Sequence, residues 1–156
     1  MALKTMIEFD LKILDHRLNE YMPSYGSVGA AGIDLRACIW GEIELAPGET
    51  KLIPAGFSFY MADPKYAAMI LPRSGMGFKE GLVIGNLVGL IDSDYQGPIS
   101  IGAWNRNLED SIRIQPMQRI AQMVIVPVIQ AKFNIVEEFE SKSVRGLGAY
   151  GSTGVN

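Results

Sequence analysis

Hydrophobic positions along this chain come in short runs broken by turn residues, and where they alternate with polar ones they do so with a period of two. Ile33, Leu35 and Ala37 fall on one face of an extended segment, and Asp34 and Arg36 on the other, the parity of a strand with one buried side. Ser111-Ile112-Arg113-Ile114-Gln115 alternates in the same way. Leu3 to Ile13 does so more loosely, as in Ile7-Glu8-Phe9 and Leu11-Lys12-Ile13, which predicts a half-buried first strand. Glu42 to Leu45, Lys51 to Met61 and Ala67 to Leu71 are further apolar runs. Met123 to Ile129 is continuous and rich in β-branched residues, the pattern of a fully buried strand. Prolines at 47, 54, 64, 72, 98, 116 and 127 come too often for long helices, and no stretch keeps a 3.6-residue period. The pattern predicts an all-β domain of many short strands in a sandwich or barrel.

Three stretches depart from this pattern. Gly85 to Gly97 reads as a buried strand, with Leu87, Val88, Leu90 and Ile91, leading into a hairpin of turn residues from Asp92 to Gly97. Its glycines at 85, 89 and 97 suit either a bulged loop with solvated acids or a slot where a flat heterocycle approaches bare backbone. Pro72-Arg73-Ser74-Gly75 ends a buried run in a polar, glycine-rich segment. A helical turn capped by Ser74, with the Arg73 fork beside it, is either an ordinary Ser-Gly turn or a phosphate site. The last sixteen residues, 141–156, hold four glycines and no core-forming run; Arg145, Tyr150 and Gly151-Ser152-Thr153-Gly154 are their notable features. They read either as a tail or as an arm that orders over a nucleotide. The expected organisation is therefore one core domain, 1–140, and a flexible arm, 141–156. Asp34 is either half of a surface ion pair or a carboxylate facing a polar cleft.

Composition narrows the chemistry. The 156 residues carry a net charge of −3, which offers no general attraction to nucleic acid or to an anionic membrane, so neither is an expected partner. One cysteine, Cys38, and one histidine, His16, leave no intramolecular disulfide and no Cys/His zinc site. With no signal-like N-terminal run, a cytoplasmic location is expected.

Five segments, taken together and in order, resemble the trimeric dUTP diphosphatases (dUTPases), most closely their bacterial branch. They are Ala31-Gly32-Ile33-Asp34-Leu35-Arg36-Ala37, Pro72-Arg73-Ser74-Gly75, Gly89 to Gly97, Arg119-Ile120-Ala121-Gln122, and Arg145-Gly146 through Gly151-Ser152-Thr153-Gly154. The resemblance implies a dUTPase-like, jelly-roll-like β-barrel that converts dUTP to dUMP and pyrophosphate with Mg²⁺, supplying dUMP and keeping uracil out of DNA. It implies that uracil is held by the backbone around Leu90 and Ile91, with Asn86 assisting and Ser100 near the base. Tyr95 would pack on the deoxyribose. Asp92 matches the general base that takes a proton from the attacking water. Arg73, Ser74, Gly75 and Gln122 match the phosphate contacts, and Asp34 the carboxylate that orients metal-bound water from outside the coordination sphere. Arg145, Tyr150, Ser152 and Thr153 belong to the closing arm. A homotrimer with active sites between subunits is also implied.

The chain departs from the family pattern at Tyr150, where phenylalanine is usual, and at Ala149 before it, where glycine is usual. It also departs at Phe78, often histidine in bacterial relatives, and at Ser100, often a longer side chain. None removes a catalytic group. Two other readings share the scaffold: a dCTP deaminase-like enzyme, which would need acid and base groups beside carbon 4 of the ring, and a nucleotide-binding regulator without turnover.

Overall fold

The computed structural model describes residues 6–141, 143–144 and 146. Ten strands build it: β1 Asp10–Ile13, β2 Ile33–Arg36, β3 Ile43–Leu45, β4 Thr50–Tyr60, β5 Tyr66–Pro72, β6 Leu82–Ile84, β7 Gly89–Ile91, β8 Pro98–Asn105, β9 Ile112–Ile114 and β10 Arg119–Pro127. They pair antiparallel throughout, in a sheet of order β1-β4-β8-β6, a second of order β2-β10-β5-β7, and a small β3-β9 pair. One core joins the layers. Ile53, Phe57 and Phe59 of β4 and Ile99, Ile101 and Ala103 of β8 belong to the same buried cluster as Leu35 of β2, Ile70 of β5 and Ile120 and Met123 of β10. The all-β expectation holds.

Two-residue periodicity places these side chains. In β8 Ile99, Ile101, Ala103 and Asn105 point inward, while Ser100 and Gly102 face out. Asn105 is wholly buried, and its side-chain amide donates to the carbonyls of Leu45, Ala46 and Asp110, so a polar residue closes the end of the core without an unpaired group. β4 shifts register between Pro54 and Ser58, with Gly56 at φ 84°. A Cβ there would lie 2.6 Å from Cys38 Sγ, so only glycine lets this strand pass over the cysteine.

Two strand expectations need correction. β10 starts at Arg119 and ends at Pro127; its residues 124–126 are only half-buried, and Ile129 beyond it is 95% exposed, so Met123 to Ile129 is not a fully buried strand within one chain. The run from Leu87 to Ile91 is not one buried strand either. Leu87 sits in a tight turn at φ 65° and is exposed, as is Leu90; only Gly89–Ile91 is extended. The reason is topological. β6 and β8 pair with each other in one sheet, and between them the chain makes an excursion that lends β7 to the other sheet. β7 and β8 therefore do not form a hairpin ladder, and the turn from Asp92 to Gly97 crosses between layers.

Candidate active site

Three adjacent strands, β2, β10 and β5, bring one polar cluster together. Gln122 of β10 is in register with Asp34 of β2 on one side and with Leu71 of β5 on the other. The Gln122 amide donates to the Pro72 carbonyl at 2.9 Å, just before Arg73. Gly32 makes room for that amide, since a Cβ there would lie 2.5 Å from Gln122 Oε1. Arg73 Nε donates to Asp34 Oδ1 at 2.8 Å, and Arg119 Nη1 donates to Asp34 Oδ2 at 2.9 Å. Asp34 is thus ion-paired, but not with Arg36 on its own strand; Arg36 turns away to the Met117 carbonyl and lies over the Tyr21 ring. Sequence reasoning gave Arg119 no role of its own, although it opens the fourth of the five segments. Its signal is the spacing Arg119 to Gln122, which puts both at the start of one strand beside β2.

After β5 the chain forms a wide helical turn over Met76–Glu80, closed by Gly81 at φ 81°. The expected Ser74 cap is absent: the Gly77 N–H donates to the Arg73 carbonyl, and no side chain caps the turn. Gly75 already has helical φ and ψ, so Ser74 lies inside the turn's approach rather than at its cap. Ser74 and Gly75 are exposed beside Arg73, and Phe78 stands 85% exposed on the same turn.

The excursion between β6 and β8 makes a second region. A cavity of about 350 Å³ is lined by Asn86, Leu90, Ile91 and Ser100, all four expected around a base, together with Thr50 and Leu52 of β4. The glycines have a more specific purpose than leaving room for a ligand. A Cβ on Gly85 would lie 2.9 Å from the Thr50 methyl, one on Gly89 3.1 Å from Ile70 Cβ, and one on Gly97 2.3 Å from the Tyr95 hydroxyl. They let the excursion press against β4, β5 and Tyr95, and that contact shapes the cavity. Tyr95 donates its hydroxyl to the Pro98 carbonyl at 3.0 Å and its N–H to the Asp92 carbonyl, which fixes the ring against the turn. Asp92 is exposed, and among the described residues none hydrogen-bonds or ion-pairs with its carboxylate.

One chain does not bring the two regions together. In the β5–β7 register Ile91 lies opposite Ala68, so Asp92 starts level with Ala67. Arg73, the residue after the end of β5, is six positions beyond Ala67, roughly 20 Å at about 3.3 Å per residue. Arg145, Tyr150, Ser152 and Thr153, and Ala149 with them, lie outside the described residues.

Among the described residues no three His, Cys, Asp or Glu side chains are grouped to hold a metal, and both Asp34 oxygens are on arginines. This donor set does not fit a cation caged by protein. It is compatible with one carried on a ligand's phosphates, which keeps its own water shell. Away from the site, burial pushes the Cys38 thiol above its ordinary value, which leaves it unsuited as a nucleophile at neutral pH. The Arg17 guanidinium, and then the Arg17 N–H, hold the Asp15 carboxyl well below the usual range.

The dUTPase family model matches residues 19–154. A deoxyuridine 5'-triphosphate nucleotidohydrolase of Thiobacillus denitrificans is 61% identical over 145 residues, 93% of this chain and 98% of its own length. Among solved structures, the dUTPase of Staphylococcus bacteriophage 80alpha with dUPNHPP matches at a TM-score of 0.84 and 30% identity, over 96% of this chain and 100% of that one. A mutant dUTPase from phage phi11 of S. aureus, whose structure reveals the coordination of a structural Mg(II) ion, matches at a TM-score of 0.75 and 25% identity, over 86% of this chain and 100% of that one.

Proposed function

The chain belongs to the dUTPase family, and from that premise we propose how it hydrolyses dUTP to dUMP and pyrophosphate. The observation that carries the reading is the cavity gathering Asn86, Leu90, Ile91 and Ser100. Uracil enters with its polar edge toward the excursion's backbone, assisted by the Asn86 amide. The glycine-tight packing leaves no room for a methyl at carbon 5, and the Tyr95 ring crowds a 2'-hydroxyl. Crowding rejects dTTP and UTP more strongly than a missing contact would.

Asp92 takes a proton from water as the water oxygen bonds to the α-phosphorus; the bond from that phosphorus to the bridging oxygen breaks, and pyrophosphate leaves. An exposed carboxylate with no partner among the described residues is open to the attacking water. Arg73, the Ser74-Gly75 turn and Gln122 bind the phosphate chain. Mg²⁺ carried on the triphosphate would neutralise charge on its oxygens, and Asp34, held by Arg73 and Arg119, would be the carboxylate that orients its water shell. Arg145, Tyr150, Ser152 and Thr153 close the site as an arm, 141–156, on the core domain, 1–140.

The working unit is a homotrimer with each site shared between copies. Two observations support it. Asp92 and Arg73 stand too far apart in one chain to act on one phosphorus. The segment after β10 carries Ile129, Phe133, Ile135 and Phe139, each at least 86% exposed, and a chain with such a row of apolar side chains has an uncovered interface. A cytoplasmic location is part of the same proposal; separately, among the described residues no helix is long and apolar enough to cross a membrane.

Pyrophosphate release from dUTP, dTTP, dCTP and UTP, measured in parallel with Mg²⁺, tests the reading. Turnover of dUTP alone is expected. Ammonia from dCTP would favour a deaminase, and binding without turnover a regulator.

A further inference from the structure

Arg119 has been given no part in the reaction, yet it completes the ion cluster that holds Arg73. Asp34 presents one oxygen to Arg73 Nε at 2.8 Å and the other to Arg119 Nη1 at 2.9 Å, and Arg73 Nη1 reaches the Arg119 carbonyl at 3.4 Å. One carboxylate between two guanidinium groups leaves a net charge of +1. With Arg73 and Asp34 alone the unit would be neutral, and the cation expected to meet a triphosphate would already be matched by its own neighbour. The side chains of Asp34 and Arg73 are 23% and 28% exposed, whereas Arg119 is 49% exposed. Arg119 is therefore the open member of the three.

We propose that Arg119 is a positioning residue of the dUTP site: it offsets the charge of Asp34, so that Arg73 keeps both its orientation and its attraction for the triphosphate. This rests on the dUTP reading above. It makes Asp34 a hinge between two arginines. A direct charge contact predicts that losing Arg119 weakens binding whatever stands at position 34. Offsetting predicts instead that removing the Asp34 charge recovers binding lost with Arg119.

The test is calorimetric binding of dUPNHPP and of dUMP to the full-length oligomer, in the unmodified protein, Arg119→Gln, Arg119→Lys, Asp34→Asn and the Asp34→Asn/Arg119→Gln double variant. Arg119→Gln should weaken dUPNHPP binding on the order of 10- to 100-fold, the range for a charged hydrogen-bonding group, and change dUMP binding far less. Arg119→Lys should recover part of the loss, because an ammonium offsets the same charge. The double variant should bind dUPNHPP about as tightly as Asp34→Asn alone, because with the Asp34 charge gone there is nothing left for Arg119 to offset. Unchanged binding in Arg119→Gln, or a double variant weaker than Asp34→Asn by the same factor as Arg119→Gln is weaker than the unmodified protein, would overturn the proposal. If Arg119→Gln does not assemble, Arg119→Lys with and without Asp34→Asn makes the same comparison. Failure of the unmodified protein to bind dUPNHPP would sink the dUTP reading itself; binding there with an indifferent Arg119→Gln sinks only this one.

Discussion

The cluster at the ends of β2, β5 and β10 and the excursion from Gly85 to Gly97 are built in opposite ways. In the cluster three functional side chains are already held: Asp34 by two arginines, Gln122 by the Pro72 carbonyl, Arg73 by Asp34 and the Arg119 carbonyl. In the excursion the backbone and Tyr95 are fixed, but the Asp92 carboxylate stands exposed and unpartnered among the described residues. A preorganised set of cations suits the binding of phosphates, since nothing has to be ordered when they arrive. A carboxylate left open suits a proton acceptor, since an ion pair would lower its basicity. The roughly 20 Å between them along the β5 direction is the gap that the proposed sharing of a site between copies would have to close.

The largest effect that would sharpen this contrast is on chemistry without binding. Asp92→Asn should lower turnover of dUTP by about 10²- to 10⁴-fold, the usual contribution of a general base, while dUPNHPP affinity, oligomeric state and melting temperature stay near those of the unmodified protein. A variant with normal turnover would take Asp92 out of the reaction.

A middle-sized effect should come from shape alone. Gly85→Ala puts a Cβ against the Thr50 methyl, and such overpacking typically costs about 1–3 kcal/mol. Steady-state kinetics should show KM for dUTP rising more than kcat falls, together with a lower melting temperature. Unaltered KM and stability would mean that the excursion does not press on β4.

The smallest effect lies outside both regions and is a control on them. The folded-state pKa of Asp15 is depressed by Arg17, so its contribution to stability is fully present above the unfolded carboxyl value of about 3.9 and is lost as pH falls toward the folded value. Asp15→Asn should therefore be less stable than the unmodified protein at pH 7, with the gap narrowing in denaturation curves below about pH 4. dUTP turnover at pH 7 should not change. A gap that widens in acid would reverse the assignment.

Much of the fold was legible because sheets with one buried face print a period of two on the chain. Ile33 to Ala37 and Ser111 to Gln115 read correctly as strands on that ground, and Lys51 to Met61 as an apolar run that forms β4, buried on both faces from Ala55 to Phe59. β8 has the same alternation in Ile99, Ile101 and Ala103 but carries Pro98 and Gly102; Pro98 opens the strand, and Gly102 faces outward beside Gly85. The excursion misled for a different reason. Leu87 and Leu90 are apolar but exposed, and no local pattern distinguishes a residue buried in its own core from one turned toward a cavity or another copy. Partners distant in sequence were equally hidden: Asp34 and Arg36 share a face, yet Asp34 pairs with Arg73 and Arg119 through register set by β10. The candidate residues were legible as motifs, whereas their division into two separate regions came only from strand order.

The most direct test of that division is complementation. Arg73→Ala and Asp92→Asn, each nearly inactive alone, are unfolded together, refolded as mixed oligomers and assayed for dUTP hydrolysis. Sites that take Asp92 from one copy and Arg73 from another should recover on the order of a quarter of the unmodified activity in an equal mixture, since random assembly leaves that share of interfaces with both groups intact. Activity no higher than that of the two parents, in oligomers shown to be mixed, would contradict a site shared between copies.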